Sequence, residues 1–514
     1  MIEARSLWEL VEDRARVTPD ARFAIDENDR ELSFAGYRAA ALRAAAGLAT
    51  RGVESGTVVS WMLPTWLESL VLVAALSRLG AVQNPILPIY REREVGFITR
   101  ECGSRLLVVP GPWRGFDYPS LADALAAGRP GLDTLVVDRD LPEAAPADLP
   151  PPAARPAAGD APLRWVFYSS GTTADPKGAR HSDDSLRAAA LGMSERLALV
   201  PDDRIALVFP FTHIGGIGWL FAGLAVGCAQ ILVEQFDART SPEILARHGV
   251  TQATAGTAFH QAYLEAQRAA PGRRLFPAIR SFPGGGAAKP PSLHSDVKRE
   301  LGGAGIVSGY GLTECPIVTM NSVHDPDEKL AHTEGRANAT EIRIVASDGG
   351  PAPPEQEGEI RVRGPQLFRG YVDPALDRDA FDEAGFFRTG DLGQLDSEGF
   401  LTVTGRLKDV IIRKGENISA REVEDLLYQH PKVVDTAVIG LPDPERGERC
   451  CAVVACRDPE HPLDFDEMVA FLRAQQLMVQ KIPEQLEVVK ELPRSSTGKV
   501  LKQELRARYS ESTR

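Results

Sequence analysis

Long hydrophobic runs are missing from this 514-residue chain. The longest apolar-looking stretch, Leu67 to Leu76, contains Glu68 and falls far short of the ~20 residues a membrane-spanning helix needs. It reads as a buried helix. Cysteine is also scarce: the six residues Cys102, Cys228, Cys315, Cys450, Cys451 and Cys456 form no C-x-x-C pair. That excludes a disulfide framework and a cysteine zinc site, and points to reduced thiols in the cytoplasm. Basic charge is in deficit, with 58 Lys and Arg against 71 Asp and Glu and a net charge of −13. Nucleic acid and anionic membranes are therefore not expected as main partners, although a local basic pocket still suits a small anion. The first residues, Met-Ile-Glu-Ala-Arg-Ser, lack the basic start and apolar core of a signal peptide. No repeat recurs at a fixed period.

A hydrophobic content of 43% and a charged content of 25% are ordinary for a globular protein, and the length calls for two or more domains. Helical spacing of apolar residues marks Leu7 to Arg16 and Tyr37 to Leu48. Val58 to Leu63 reads as a buried strand, followed by a helix from Thr65 to Leu79. This alternation points to an α/β layered architecture. A Pro/Ala-rich connector lies within residues 141–163. Leu163 to Tyr168 then reads as a strand, with a helix from about Ser185. Further strands are expected at Arg204 to Pro210, Ala229 to Glu234 and Ile306 to Gly309. Beyond about residue 340, period-two alternation in Glu341 to Val345, Gly358 to Gly364 and Leu401 to Val410 marks β structure. From Gly405 the chain mixes strands with helices at Ala420 to Tyr428 and Phe465 to Gln476, so a domain boundary is expected there.

The most informative segment is Tyr168-Ser-Ser-Gly-Thr-Thr-Ala-Asp-Pro-Lys-Gly178. Its hydroxyls and backbone N–H groups can wrap phosphate oxygens while Lys177 supplies charge. No Ser or Thr follows a Gly-Lys pair, so this is not the nucleotide P-loop. Such residues also make ordinary surface turns; the company the segment keeps decides against that. Gly309-Tyr-Gly-Leu-Thr-Glu-Cys315 offers a flat ring, a hydroxyl and a carboxylate, and a carboxylate beside polyphosphate suits Mg²⁺. Phe387-Arg-Thr-Gly-Asp-Leu392 carries a carboxylate of the kind that holds ribose hydroxyls. Gly405-Arg-Leu-Lys-Asp-Val410, Lys414-Gly-Glu-Asn-Ile418 and Leu492-Pro-Arg-Ser-Ser-Thr-Gly-Lys-Val500 follow in order.

In order and spacing these segments resemble the adenylate-forming superfamily: acyl- and aryl-CoA synthetases, adenylation domains of peptide synthetases, and beetle luciferases. The resemblance runs from about residue 5 to 508. It implies a large N-terminal part, residues 1–404, of stacked αβ layers with a β-barrel, and a small mobile α+β domain, residues 405–514, with a hinge near 405–410. It implies ATP, Mg²⁺ and coenzyme A as cofactors. Ser169, Ser170, Gly171, Thr172, Thr173 and Lys177 would hold the β- and γ-phosphates. Gly285, Gly286 and Ala287 would line the adenine slot with Gly311, and Tyr310 would stack on the ring. Thr313 would contact the α-phosphate and Glu314 the metal; Asp391 and Arg406 would hold the ribose. Lys499 would bridge the substrate carboxylate and the α-phosphate, opposing the charge that builds as two anions join. His213 matches an acyl-pocket gate, with Gly216, Trp219, Gly284 and Cys315 around the acyl group; Lys408 occupies the hinge. After rotation of the C-terminal domain, Lys414 and Gly415 would face a pantetheine tunnel.

Two departures stand out: Ala174 replaces a common glycine of the phosphate loop, and Arg180-His-Ser182 replaces a usual Thr-His ending. Slower use of ATP is expected from the first, not loss of activity. His213-Ile-Gly-Gly-Ile-Gly-Trp219 carries no carboxylate for a substrate amine, which argues against a free amino acid. Gly215, Gly216 and Gly218 are expected to leave room, and Trp219 to form an apolar wall, for a medium-chain, alicyclic or aromatic acid. The overall texture is most similar to medium-chain and cyclohexanecarboxylate-type acyl-CoA ligases. Fifteen residues follow Lys499, so the acceptor is expected to be free CoA or a separate carrier protein. The alternative is an enzyme that stops at acyl-AMP or hands the acyl group to a partner. A catalytically lost nucleotide-binding regulator would lack catalytic groups, yet Glu314, Asp391, Arg406 and Lys499 are all present. The oligomeric expectation stays open between monomer and homodimer.

Overall fold

Strands that alternate with helices leave both sheet faces needing cover, and the chain meets that need in layers. The computed structural model describes residues 1–152, 161–169, 176–286, 289–413, 416–443, 446–495 and 498–510. One sheet orders Asp133–Val137, Leu106–Pro110, Val58–Trp61, Val82–Pro85, Trp165–Ser169 and Lys177–His181. Its first five strands run parallel, and the last turns back antiparallel. Parallel strands are buried on both faces, which is why Leu67–Leu79 is apolar nearly all round and almost wholly buried. That helix begins two residues later than the sequence suggests, because Trp66 is still extended at ψ 161°. The alanine-rich helix Phe34–Ala49 starts earlier than expected, capped by the Ser33 hydroxyl.

A second sheet orders Glu31–Ser33, Arg22–Asp26, Ala229–Leu232 and Arg204–Leu207. The helix Ile214–Val226 crosses between its last two strands. Single bridges from Ile205 to Gln252 and from Gln252 to Ser281 carry the layer onward to a third sheet. This one orders Phe282–Gly285, Ile306–Leu312, Cys315–Met320 and Arg336–Ala337. The period-two segments then form a four-stranded antiparallel sheet of Glu341–Val345, Gly358–Arg363, Phe387–Leu395 and Leu401–Arg406. Where a barrel was expected, this sheet is open among the described residues, and the bridge Arg336–Phe400 ties it to the third sheet.

The expected strand Leu401 to Val410 is interrupted. It ends at Arg406, passes through the 3-10 turn Leu407–Asp409, and resumes as Val410–Arg413. The physical reason is a change of partner: Leu401–Arg406 pairs with Phe387–Leu395, whereas Val410–Arg413 pairs with Glu416–Ser419. Two hydrophobic clusters beyond that turn draw wholly on residues 411–509. A separate core of this kind supports the proposed division at residue 405. Among the described residues, no helix is long and apolar enough to cross a membrane.

Candidate active site

The phosphate-type segment sits on an antiparallel hairpin whose legs are Trp165–Ser169 and Lys177–His181, with Ser169 opposite Lys177. Ser170, Gly171, Thr172, Thr173 and Ala174 lie outside the described residues. Gly178 is required by packing: a Cβ there would stand 2.7 Å from the Tyr168 ring and 2.9 Å from Val372. Beside it, the Lys177 ammonium stands 5.6 Å from the centre of the Tyr371 ring. The Tyr371 hydroxyl donates to Glu314 Oε1 at 2.7 Å. Glu314 is 8% exposed. Burial pushes its pKa up, opposed by the phenol and by the charge of Lys177. A cation would relieve a carboxylate held in that state. Among the described residues no cluster of three or more His, Cys, Asp or Glu could hold a metal by itself. A lone carboxylate beside a polyphosphate site is how Mg²⁺ is usually held, with substrate oxygens completing its shell. The residues present fit that ion.

Thr313 and Glu314 are anchored from the hairpin. His181 is fully buried, with Nε2 2.8 Å from the Thr313 carbonyl oxygen and Nδ1 2.9 Å from Ser185 Oγ. Burial pushes its pKa down to about 4, so at neutral pH the ring is neutral. A carbonyl can only accept, so the proton sits on Nε2, and the one Ser185 hydroxyl proton is shared between Nδ1 and the Ser182 carbonyl oxygen, each 2.9 Å away.

The expected adenine and ribose groups come from four strands, Phe282–Gly285, Ile306–Leu312, Phe387–Leu395 and Leu401–Arg406. Gly285 lies where a Cβ would come 2.7 Å from the Gly309 carbonyl oxygen, and one on Gly311 would come 2.5 Å from Ile317 N. Neighbouring strands of the third sheet thus approach closely beside Gly286, which has a φ of 78° and open space where a Cβ would stand; Ala287 lies outside the described residues. The Tyr310 hydroxyl donates to Asp391 Oδ2 at 2.7 Å, and Arg406 Nε pairs with Asp391 Oδ1 at 2.9 Å. Register places Asp391 directly opposite Arg406. The phenol of Tyr310 is held neutral by burial and by Asp391.

The charge of Asp391 also acts on the C-terminal lysine. The Lys499 N–H donates to Ser495 Oγ at 3.2 Å, and Gly498 turns the chain with φ 83°. A Cβ on Gly498 would stand 3.6 Å from Phe259, so the loop is set against the N-terminal part. The Lys499 side chain opens onto solvent, as an approaching substrate requires, yet it lies in a crowded cleft. Burial first, then Arg406, push its pKa down to about 8, while Asp391 pulls it back up. Lys408 lies in the 3-10 turn Leu407–Asp409. Lys414 and Gly415 lie outside the described residues.

On the acyl side, His213 caps the helix Ile214–Val226, and its Nδ1 accepts from the Gly215 N–H at 3.1 Å. Burial pushes its pKa down to about 4, leaving a neutral ring at the expected gate position. The expectation that three glycines make room is corrected. A Cβ on Gly216 would stand 2.6 Å from the Phe211 carbonyl oxygen, and one on Gly215 would stand 3.1 Å from His213 Nδ1, whereas Gly218 has nothing within 4 Å. Gly284 is likewise a packing position, its missing Cβ 2.8 Å from His260 Cε1. Trp219 is 6% exposed within the main core. Cys315 is fully buried in the cluster under the antiparallel sheet, whereas Trp219 belongs to the main core; the Cys315 thiol is pushed up by burial.

A model of AMP-binding enzymes matches residues 11–372, and one of the AMP-binding enzyme C-terminal domain matches residues 422–499. The chain belongs to the AMP-binding enzyme family. It is 32% identical to a medium-chain fatty-acid–CoA ligase of Escherichia coli (strain K12), over 97% of this chain and 89% of that protein. It is also 32% identical to a salicyl-AMP ligase / salicyl-S-ArCP synthetase of Mycobacterium tuberculosis, over 96% and 89%. Among solved structures, ATP-bound MatB from Rhodopseudomonas palustris is 27% identical over 99% of both chains, with a TM-score of 0.89. The apo form of MatB gives 0.77 at the same identity and coverage.

Two residues of this AMP-binding enzyme's site escape sequence reasoning. Tyr371 lies 57 residues from Glu314, and nothing local marks it beyond a preceding glycine. His181 shows itself in sequence as part of a departure from pattern, and its partner Thr313 is 132 residues away.

Proposed function

We propose that this enzyme joins an apolar carboxylic acid to coenzyme A in two half-reactions. In the first, a carboxylate oxygen of the acid attacks the α-phosphorus of ATP; acyl-AMP forms and pyrophosphate leaves. In the second, the CoA sulfur attacks the acyl carbonyl carbon, the thiol proton is lost, and AMP leaves. The observation that carries the reading is convergence. Lys499 from the C-terminal part and the Tyr310–Asp391–Arg406 group share one electrostatic neighbourhood. Lys177 and Glu314 stand together around Tyr371.

In this reading Lys177 holds phosphate oxygens and Asp391 accepts from ribose hydroxyls. Lys499 neutralises charge as carboxylate and α-phosphate join, a role worth roughly 10²–10³ in rate for a single preorganised donor. Glu314 holds Mg²⁺, which when bound draws charge from the phosphate oxygens. The half-buried neutral His213 and the apolar Trp219 favour an acid without a second charge. The medium-chain fatty-acid ligase among the relatives supports an apolar substrate. The cytoplasm is the proposed compartment, since ATP and CoA are both required.

A second reading has a specific support: a relative that is a salicyl-AMP ligase / salicyl-S-ArCP synthetase. The acceptor would then be a carrier protein, or the enzyme would stop at acyl-AMP. Pyrophosphate release across a panel of medium-chain, alicyclic and aromatic acids, with and without CoA, tests both. Acid-dependent release followed by a CoA thioester supports the first. Release with bound acyl-AMP and no thioester supports the second. No release with any acid of the panel overturns both.

A further inference from the structure

One tyrosine stands between the two groups of opposite charge that the nucleotide needs. The Tyr371 hydroxyl donates to Glu314 Oε1 at 2.7 Å, while the face of its ring receives the Lys177 ammonium at 5.6 Å. Its backbone is tied to the strand that carries Lys177: Tyr371 bridges Ala179, and the Val372 N–H donates to the Gly178 carbonyl at 2.8 Å. The Tyr371 N–H donates to Asp377 Oδ1 at 2.8 Å, and Phe368 packs edge-on at 4.8 Å. The Phe368 N–H in turn donates to the Glu314 carbonyl at 2.8 Å. Both ends of the residue are thus fixed, one to each half of the site.

The charges of Lys177 and Glu314 act on one another, yet among the described residues no ion pair joins them. An ammonium and a carboxylate this near, in a partly dry cleft, would otherwise pair directly. A direct pair would have to be broken each time a nucleotide and its cation bind. The tyrosine removes that competition by giving each charge a different, weaker partner: a quadrupolar ring face for the cation and a phenolic O–H for the anion. We propose that Tyr371 is a positioning residue that holds Lys177 and Glu314 apart, so that phosphate and Mg²⁺ each find their group unpaired. This rests on the nucleotide site described above.

Tyr371→Phe keeps the ring and loses the hydroxyl; Tyr371→Leu loses both. The measurement is ATP binding by titration calorimetry on the full chain across a series of Mg²⁺ concentrations, with melting temperature as a folding control. Tyr371→Phe raises the Mg²⁺ needed for half-maximal ATP affinity about tenfold, the size of one hydrogen bond to a charged group, and keeps wild-type ATP affinity at saturating Mg²⁺. Tyr371→Leu also weakens ATP binding at saturating Mg²⁺, because Lys177 loses its ring. A Tyr371→Phe protein that folds and shows the wild-type Mg²⁺ dependence overturns the proposal, whatever Tyr371→Leu does. Wild-type protein that binds no ATP with Mg²⁺ overturns the nucleotide reading instead.

Discussion

At the scale of single residues, Lys499 has the sharpest expected signature. Replacing it with Ala lowers acid-dependent pyrophosphate release by about 10²–10³, the usual effect of losing one preorganised charge donor, with unchanged melting temperature because its side chain is exposed. Its pH profile follows from sign. The protonated ammonium is the working form; although the residue as a whole is exposed, the crowding that strips water from its ammonium, then Arg406, push its pKa down to about 8. kcat/KM for adenylation therefore falls as pH rises through 8, where an ordinary lysine would hold its activity to above 10. Lys499→Arg, which stays charged, abolishes that alkaline limb at whatever rate it retains. A second residue-scale test concerns His181. His181→Ala frees the Thr313 carbonyl and lowers kcat about tenfold with a smaller change in KM for ATP, since a buried acceptor left unpaired costs roughly 1–3 kcal/mol. His181→Gln restores an N–H donor and most of the rate; equal losses in both variants would assign His181 to packing alone. Residues of this kind divide cleanly by legibility. Lys177, Glu314, Asp391, Arg406 and Lys499 stand in compact local patterns of glycine and hydroxyl residues, so sequence exposes them. Tyr371 and His181 act through partners 57 and 132 residues away, and no local pattern encodes such a pairing.

At the scale of elements, the helix Ile214–Val226 shows how a glycine can be misread from sequence. Consecutive glycines look like open space, yet a Cβ on Gly216 would meet the Phe211 carbonyl oxygen at 2.6 Å. Gly216→Ala therefore pushes the first turn away from Phe211 and disturbs the His213 cap. Destabilisation of about 1–3 kcal/mol is expected, as for other overpacked core sites, read as a lower melting temperature. Gly218→Ala meets nothing within 4 Å; it keeps the melting temperature and gains a little from helix propensity. A reversed order of the two variants would refute the packing argument. The same contrast explains what sequence supplies at this scale. Period-two alternation locates Glu341–Val345 and Gly358–Arg363 closely, since each strand buries one face. Helix starts shift by a few residues because caps such as Ser33 and the extended Trp66 decide them. The break at Leu407–Asp409 is invisible to alternation, because it arises from a change of strand partner.

At the scale of the whole molecule, the two parts meet through contacts that hold in one arrangement. Arg421 lies 3.6 Å from Glu334, the Ser419 hydroxyl donates to the Thr404 carbonyl at 2.9 Å, and the Gly498 turn lies against Phe259. The chain superposes better on ATP-bound MatB, with a TM-score of 0.89, than on its apo form, with 0.77. A thioester step that needs Lys499 withdrawn then needs these contacts to break and the chain to swivel. The hinge we propose for it is the 3-10 turn, where Leu407 is 51% exposed and the strand hydrogen bonding changes partner. Lys408→Pro tests the swivel; because it also removes a positive charge that acts on Lys499 and Asp391, Lys408→Gln serves as the charge control. Proline holds φ near −65°, within the 3-10 range the turn already uses, and denies the rotation that a hinge residue must absorb. Acid-dependent pyrophosphate release is expected to stay within about threefold of wild type, while CoA thioester formation from the same acid falls at least about tenfold, as for a blocked conformational step. Quenched-flow measurement of the two half-reactions separates them. Parallel loss of both, by the same factor, would mean that Lys408 serves the first step directly and that the swivel lies elsewhere.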